Sequence, residues 1–139
     1  MTDLRFRTLG RWLEDHFGSP TYRVALDAGS TCPNRDGEKG FGGCVYCDVE
    51  GSGTGALRTG HDLEEQLKRG LNRVSRRQQH ADGEHGVIAY FQSYSNTYVE
   101  AQRLEEVLGV VRPHLGAPVV AVSVATRPDT LTEECLDVL

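Results

Sequence analysis

Apolar residues recur along this chain in two alternating rhythms, one near 3.6 residues and one near 2. Between Leu4 and Phe17, the residues Leu9, Trp12, Leu13 and Phe17 fall on one side of a helical wheel. That predicts a short amphipathic helix with Trp12 as a packing anchor. Gly18, Ser19 and Pro20 end it. Tyr22 to Asp27 alternates enough for a first strand. Leu63, Leu67, Leu71 and Val74 then repeat at helical spacing, behind Asp62 and Glu65 in a capping pattern. Val87 to Gln92 is rich in β-favouring residues and predicts a second strand. Ala101, Leu104, Leu108, Val111 and Leu115 predict the next helix, capped by Asn96 or Thr97 and closed by Pro113 and Gly116. Val119 to Ala125 is nearly all apolar and β-branched, so a third strand is expected, parallel and buried on both faces. A last helix is expected from Asp129 or Thr130, with Leu131, Leu136 and Leu139 as its apolar positions.

The order is therefore a helix followed by three strand–helix units. Such a series folds as a parallel α/β sheet with right-handed crossovers. It stops after the third unit without a closing element. The isolated chain is accordingly expected to be marginally stable and prone to associate through an open sheet edge.

Length and charge narrow the picture. At 139 residues there is room for one modest domain. Hydrophobic content of 38% and charged content of 25% fit a globular chain. The net charge of −5 excludes a global basic field for nucleic acid, so any such contact needs a local patch. Lys68, Arg69, Arg73, Arg76 and Arg77 supply one candidate, on the polar side of the second helix; the plain reading is a solvated face. No apolar run is long enough to span a bilayer and no signal peptide is visible, so no membrane and a cytoplasmic location are expected. His80 and His85 lie in a polar loop, are expected to be solvent-exposed and lack a partner at ligand spacing.

The chemistry concentrates between Cys32 and Cys47, where three of the four cysteines stand at spacing C-x11-C-x2-C. Half of the 16 glycines fall between Gly37 and Gly60, inside this loop and the Gly-rich stretch behind it, which reads as a linker or a mobile lid. Glycine tolerates positive φ and lets backbone pass close to a bulky inorganic core. Without a secretory context, clustered cysteines favour metal or catalysis over disulfides. Cys44 and Cys47 can chelate one centre, and Cys32 adds a third thiolate. Three thiolates leave one coordination position open, as a reactive iron–sulfur cluster requires. The rival from the same residues is a structural zinc site completed by His61 or Cys135. Zinc sites usually pair two short chelates, and only one is present here. Cys135 otherwise reads as a buried small hydrophobe.

Cys-Pro-Asn-Arg-Asp-Gly followed by Gly-Gly-Cys-Val-Tyr-Cys resembles the cluster loop of the radical S-adenosylmethionine (radical SAM) superfamily. The widened first spacing resembles the branch related to the catalytic subunit of Elongator, and within it a bacterial group of standalone proteins. Tyr-Phe-Gln-Ser-Tyr-Ser-Asn-Thr-Tyr at 90–98 and Ala-Thr-Arg-Pro-Asp at 125–129 resemble that group in the expected order. The resemblance implies that residues 1–139 are the N-terminal portion of a radical SAM core domain, the first half of a partial (βα) barrel of about six units. It implies a [4Fe–4S] cluster on Cys32, Cys44 and Cys47, with the fourth iron left for S-adenosyl-L-methionine. One electron from the reduced cluster would break the C–S bond of the sulfonium, and the deoxyadenosyl radical would take a hydrogen atom from substrate. Tyr46 matches the aromatic position that packs near adenine; covering the cluster from water is a compatible role. Gln92, Ser93 and Asn96 match the segment that contacts the cofactor's amino group, although the superfamily often has a Gly-Gly-Glu-like motif where this chain has Phe-Gln-Ser. Arg127 can hold the methionyl carboxylate or a substrate phosphate, and Asp129 either fixes Arg127 or caps a helix. The resemblance also implies an electron donor such as flavodoxin or ferredoxin, and a tRNA nucleoside as substrate. The contrasting class is a non-catalytic binding module that keeps the fold alone.

Overall fold

The computed structural model describes residues 5–47, 56–78 and 85–139. Helix α1 (Leu9–Phe17) begins where the Thr8 hydroxyl accepts from the Arg11 N–H at 3.2 Å and ends at Gly18, whose φ of 74° is left-handed. The first described residues before Thr8 are not helical, because the cap already starts the helix there. Strand β1 (Thr21–Leu26) follows, then α2 (Leu63–Gln78), β2 (Gly86–Phe91), α3 (Ala101–Gly109), β3 (Val119–Val124) and α4 (Glu133–Val138). Short 3₁₀ turns stand at Ala56–Thr59, Arg112–His114 and Pro128–Thr130.

The three strands form one parallel sheet in the order β1-β2-β3, with Val24 opposite Ala89 and Ala89 opposite Val122. One face carries the core: Val24, Leu26, Val87, Ala89, Phe91 and Val119 meet Leu67 and Val74 of α2, Val107 of α3 and Val111 just past it. The stripe on α2 is as its period predicts, and its start is capped as expected: the Asp62 carboxylate accepts from the Glu65 N–H at 2.9 Å. Gly70 lets α2 lie close on β1, since a Cβ there would stand 2.1 Å from Val24 Cγ1.

Several local expectations are corrected. Trp12 is not a core anchor: it is 42% exposed and stacks on His16 at 4.9 Å, while Leu13 is the buried residue of α1. β3 is not buried on both faces. Val119 is fully buried, but Val122 and Ser123 are exposed, because β3 is the sheet's edge among the described strands. Asn96 and Thr97 do not cap α3, which starts after Glu100 without a side-chain cap. Both are buried and bond elsewhere, as buried polar groups must. α4 starts after Thr132, whose hydroxyl accepts from the Cys135 N–H at 3.2 Å; Pro128 to Thr130 form a separate turn. Leu115, Leu136 and Leu139 are exposed. His85 is buried against Tyr22, ring centres 5.3 Å apart; His80 and the stretch 48–55 lie outside the described residues. No described helix is long and apolar enough to cross a membrane.

Candidate functional site

The carboxyl ends of the three parallel strands converge on a buried polar layer. Asp27, one residue past β1, is 5% exposed. Its carboxylate accepts from the Ser93 hydroxyl at 2.5 Å and from the Gly29 N–H at 2.9 Å. Gln66 of α2 brackets the same residue, accepting from the Asp27 N–H and donating to its carbonyl at 3.1 Å and to the Gly60 carbonyl at 2.9 Å. Ser93 and Tyr94, just beyond β2, have φ of 126° and 59°. Two consecutive non-glycine residues at positive φ are costly and persist only where the surroundings over-determine them. Here Asp27 holds Ser93, and the Arg35 guanidinium lies 5.2 Å from the Tyr94 ring centre.

Asn96 is a clip. Its amide donates to the carbonyls of Phe91 and Ala125 at 3.2 and 3.0 Å, and its Oδ1 accepts from Ser30. Ser95, Thr97 and Thr130, all buried, and the exposed Thr126 form a hydroxyl cluster, with Ser95 to Thr130 at 2.7 Å and Thr97 to Thr130 at 2.9 Å. Thr97 and Thr126 are also hydrogen-bonded. The cluster fixes the backbone of Arg127, whose N–H donates to Ser95 Oγ at 3.3 Å and whose carbonyl accepts from Thr130 at 3.1 Å.

The cysteine loop lies over this layer. The Cys32 carbonyl accepts from the Arg35 N–H at 2.8 Å, Pro33 accepts from Lys39 at 2.8 Å, and Asn34 accepts from Gly43 at 2.9 Å. The Cys47 N–H donates to the Cys44 carbonyl at 2.9 Å, so the last two cysteines share one turn. Gly37, Gly42 and Gly43 have φ of 98°, 80° and 84°, which makes the loop's path a glycine path. A Cβ on Gly43 would also stand 2.7 Å from Arg35 Nε.

All four cysteines are free. The Arg127 guanidinium reaches the Cys32 sulfur at 3.7 Å, and the Asn34 amide reaches the Cys44 sulfur at 3.1 Å. The bond from Asn34, and then the one from Tyr46, hold the Cys44 thiol below its ordinary range; the same bond to Cys44 raises the Tyr46 phenol. The Tyr46 side chain is otherwise 82% exposed. Among the described residues, no three of His, Cys, Asp and Glu are gathered closely enough to hold an ion as they stand. In donor chemistry the loop fits an iron–sulfur cluster: three partly exposed thiols, two of them already accepting N–H, on a backbone that glycine keeps open. Cys135 cannot serve as a fourth ligand where it stands, being 1% exposed and donating to the carbonyls of Thr97 and Val99 at 3.8 and 3.9 Å.

Arg127 is held in a fork by Asp129, with N–O distances of 2.9 and 2.7 Å. Lys39 Nζ stands 2.5 Å from the same carboxylate. Arg127 first, and then Lys39, hold the Asp129 carboxyl well below the usual range, and Asp129 raises Arg127 in turn. The Asp129 contribution is fully present above the ordinary carboxylate value of about 3.9 and is lost only as pH falls through the depressed one. The tether therefore persists through neutral and mildly acidic pH. Tyr98 adds a second tether by donating to Glu38, which raises its phenol; that contribution is present below the ordinary phenol value of about 10 and is lost as pH rises through the raised one. Replacing Lys39 by alanine and Tyr98 by phenylalanine together is expected to loosen the loop with little change in thermal midpoint, because exposed pairs add little global stability. Faster amide exchange at Lys39 and Gly40 would report it; unchanged protection would mean that the loop's backbone bonds alone suffice.

The structure thus brings Ser93, Asn96 and Arg127 together past the carboxyl ends of the strands, with Arg127 reaching Cys32, and the half-buried Gln92 just past β2 donates its N–H to the Leu26 carbonyl at 3.0 Å. Asp27, Gln66 and Asn34 were not singled out as site residues from sequence. A signal existed for two of them: Asp27 is a carboxylate closing an apolar strand, and Gln66 is a polar residue within the core-facing stripe of α2.

Fold and site together define a parallel α/β protein with a cysteine loop at the carboxyl ends of its strands. The chain is similar to YtqA of Bacillus subtilis (strain 168), described as an uncharacterized protein, at 40% identity over 138 residues, 99% of this chain and 41% of that protein. It is 33% identical over 127 residues to protein YhcC of Escherichia coli (strain K12), covering 91% of this chain and 38% of that one. Uncharacterized protein MJ0486 of Methanocaldococcus jannaschii is 26% identical over 136 residues, 96% of this chain and 39% of its own. The chain spans about two fifths of the length of these curated relatives. No protein-family profile and no solved structure matches it.

Proposed function

We propose that this chain is the cluster-bearing part of a radical SAM enzyme, and that its parallel sheet belongs to a partial (βα) barrel. The observation that carries the reading is the seat of the cysteine loop. Cys32, Cys44 and Cys47 are free on a glycine-shaped loop, and side chains behind it donate to two of their sulfurs.

Cys32, Cys44 and Cys47 would hold a [4Fe–4S] cluster, which supplies one electron for cleaving the sulfonium of S-adenosyl-L-methionine. Arg127 and Asn34 stabilise negative charge on sulfur by N–H donation. Asp129 and Lys39 keep Arg127 aimed at Cys32. Asp27 fixes the Ser93–Tyr94 turn, which presents strained backbone at the strand ends. Tyr46 offers an exposed ring face for a flat heterocycle such as adenine. A donor of the flavodoxin or ferredoxin type is the partner such chemistry needs. Free clustered thiols suit a reducing compartment, so the cytoplasm is the location we assign.

The test is anaerobic: reconstitute the protein with iron and sulfide, add dithionite and S-adenosyl-L-methionine, and look for 5′-deoxyadenosine. Its formation in the wild type and absence in Cys44→Ala supports the reading. A fully loaded, reduced protein that yields none overturns it.

A further inference from the structure

Cys44 and Cys47 close a single tight turn, in which the Cys47 N–H donates to the Cys44 carbonyl at 2.9 Å. Such a turn keeps its first and last Cα atoms within about 7 Å. A disulfide spans about 4.4–6.8 Å between Cα atoms. The backbone of this turn therefore already brings the pair within reach of an S–S bond. Gly42 and Gly43, just before Cys44, both have positive φ, so the chain enters the turn on a path without side chains. Both cysteines are free and half-buried. The tip of the turn stands in solvent, with Val45 fully exposed and Tyr46 nearly so, which opens the pair to a small oxidant.

The other two thiols are placed differently. Arg127 donates to the Cys32 sulfur at 3.7 Å, and that guanidinium is itself anchored in the fork of Asp129. Eleven residues separate Cys32 from Cys44, so joining those two closes a far longer ring than the turn that already exists. Cys135 is 1% exposed and donates to the carbonyls of Thr97 and Val99. Geometry and access thus single out one pair among the four cysteines.

We propose that a peroxide joins Cys44 and Cys47 in a reversible disulfide, and that this bond bars the loop from iron until a dithiol reopens it. One of the two sulfurs attacks a peroxide oxygen. The O–O bond breaks, an S–O bond forms, and the thiol proton leaves with hydroxide as water. The second sulfur then attacks the sulfenic acid. The S–O bond breaks, the S–S bond forms, and a second water leaves. Two electrons pass from the sulfur pair to one peroxide, and a dithiol reductant returns them by exchange through a mixed disulfide. Transient disulfides of this kind serve as redox sensors in reducing compartments. The pairing stands on the turn alone. Its effect on loading rests on the cluster reading above, because a thiolate ligates metal and a disulfide sulfur is no longer one.

The experiment takes the whole chain, metal-free and fully reduced, treats it with stoichiometric hydrogen peroxide, alkylates it in denaturant and maps the cysteines by peptide mass spectrometry. Trypsin places Cys32 on a peptide ending at Arg35, Cys44 and Cys47 together on one ending at Arg58, and Cys135 on a third. The peptide ending at Arg58 should lose two hydrogens and both alkylation sites, Cys32 and Cys135 should still be alkylated, and dithiothreitol should reverse the change. Cys32→Ser should form the bond as the wild type does, and Cys47→Ser should not. Oxidised wild type should then take up roughly tenfold less iron and sulfide than the reduced protein, and dithiothreitol should restore the uptake. A bond that joins Cys32 to another cysteine, an intact pair at a peroxide dose that oxidises Cys135, or equal iron loading of the oxidised and reduced forms would overturn the proposal. A protein that forms the Cys44–Cys47 bond but takes up no iron when reduced would sink the cluster reading and leave the pairing standing.

Discussion

Replacing Cys32, Cys44 or Cys47 with alanine is expected to abolish the anaerobically reconstituted cluster, whereas Cys135→Ala should retain it. The four thiols are chemically alike and differ in place. The first three stand partly exposed on one glycine-rich loop, and Cys135 is sealed under the layer formed by Thr97 and Val99. On the proposed reading each loop cysteine would supply one of three ligands, and a cluster with a missing thiolate would have an uncompensated open iron, so the loss should be near total. Cys135→Ala removes a small buried side chain and should cost stability instead, by about 1 kcal/mol from the cavity left behind. Iron and acid-labile sulfide content separate the outcomes. Full iron and sulfide in Cys32→Ala would sink the ligand assignment, and a colourless wild type holding one equivalent of zinc would return the rival metal site.

The second large effect is expected in the core. Phe91→Ala should destabilise the fold by about 3–5 kcal/mol, a large share of the roughly 5–15 kcal/mol that holds a domain together. Phe91 is fully buried at the end of β2, in the core cluster that also holds Leu67 of α2 and Val107 of α3. Its carbonyl also accepts from the Ala125 N–H at 2.9 Å and from the Asn96 amide at 3.2 Å. A cavity there lies directly under the strained Ser93–Tyr94 turn, so the site should loosen before the sheet opens. Urea unfolding measures the loss as a lower midpoint with an unchanged slope. A loss below about 1 kcal/mol would mean that the core collapses around the gap and that Phe91 does not set the height of the polar layer.

Much of the frame was legible because it follows from periodicity. The stripe from Leu63 to Val74 and the apolar run of β2 each state their own element, and the strand–helix order leaves a parallel sheet as the simple solution. The cysteine loop was legible for a different reason. Spacing and glycine content are local properties, and the loop's positive-φ turns fall at its own glycines. Errors arose where a residue's fate depends on what lies across from it. Trp12 sits on an apolar stripe but finds His16 rather than a core. Val122 reads as buried but stands on an edge strand. Asn96 and Thr97 look like helix caps but are drawn inward to satisfy carbonyls and hydroxyls of the β3 end.

The site divides in the same way. The sequence by itself determined that three cysteines share one glycine-rich loop, and that this loop follows the first strand of a parallel α/β chain. Only the tertiary structure decided how they are supported. Arg127 lies 95 positions from Cys32 and Ser93 lies 66 positions from Asp27, yet each pair is in contact. The physical reason is that parallel strands bring all their carboxyl ends to one edge of the sheet. Residues far apart in the chain meet there, and buried polar atoms must then find partners among whichever neighbours the packing provides.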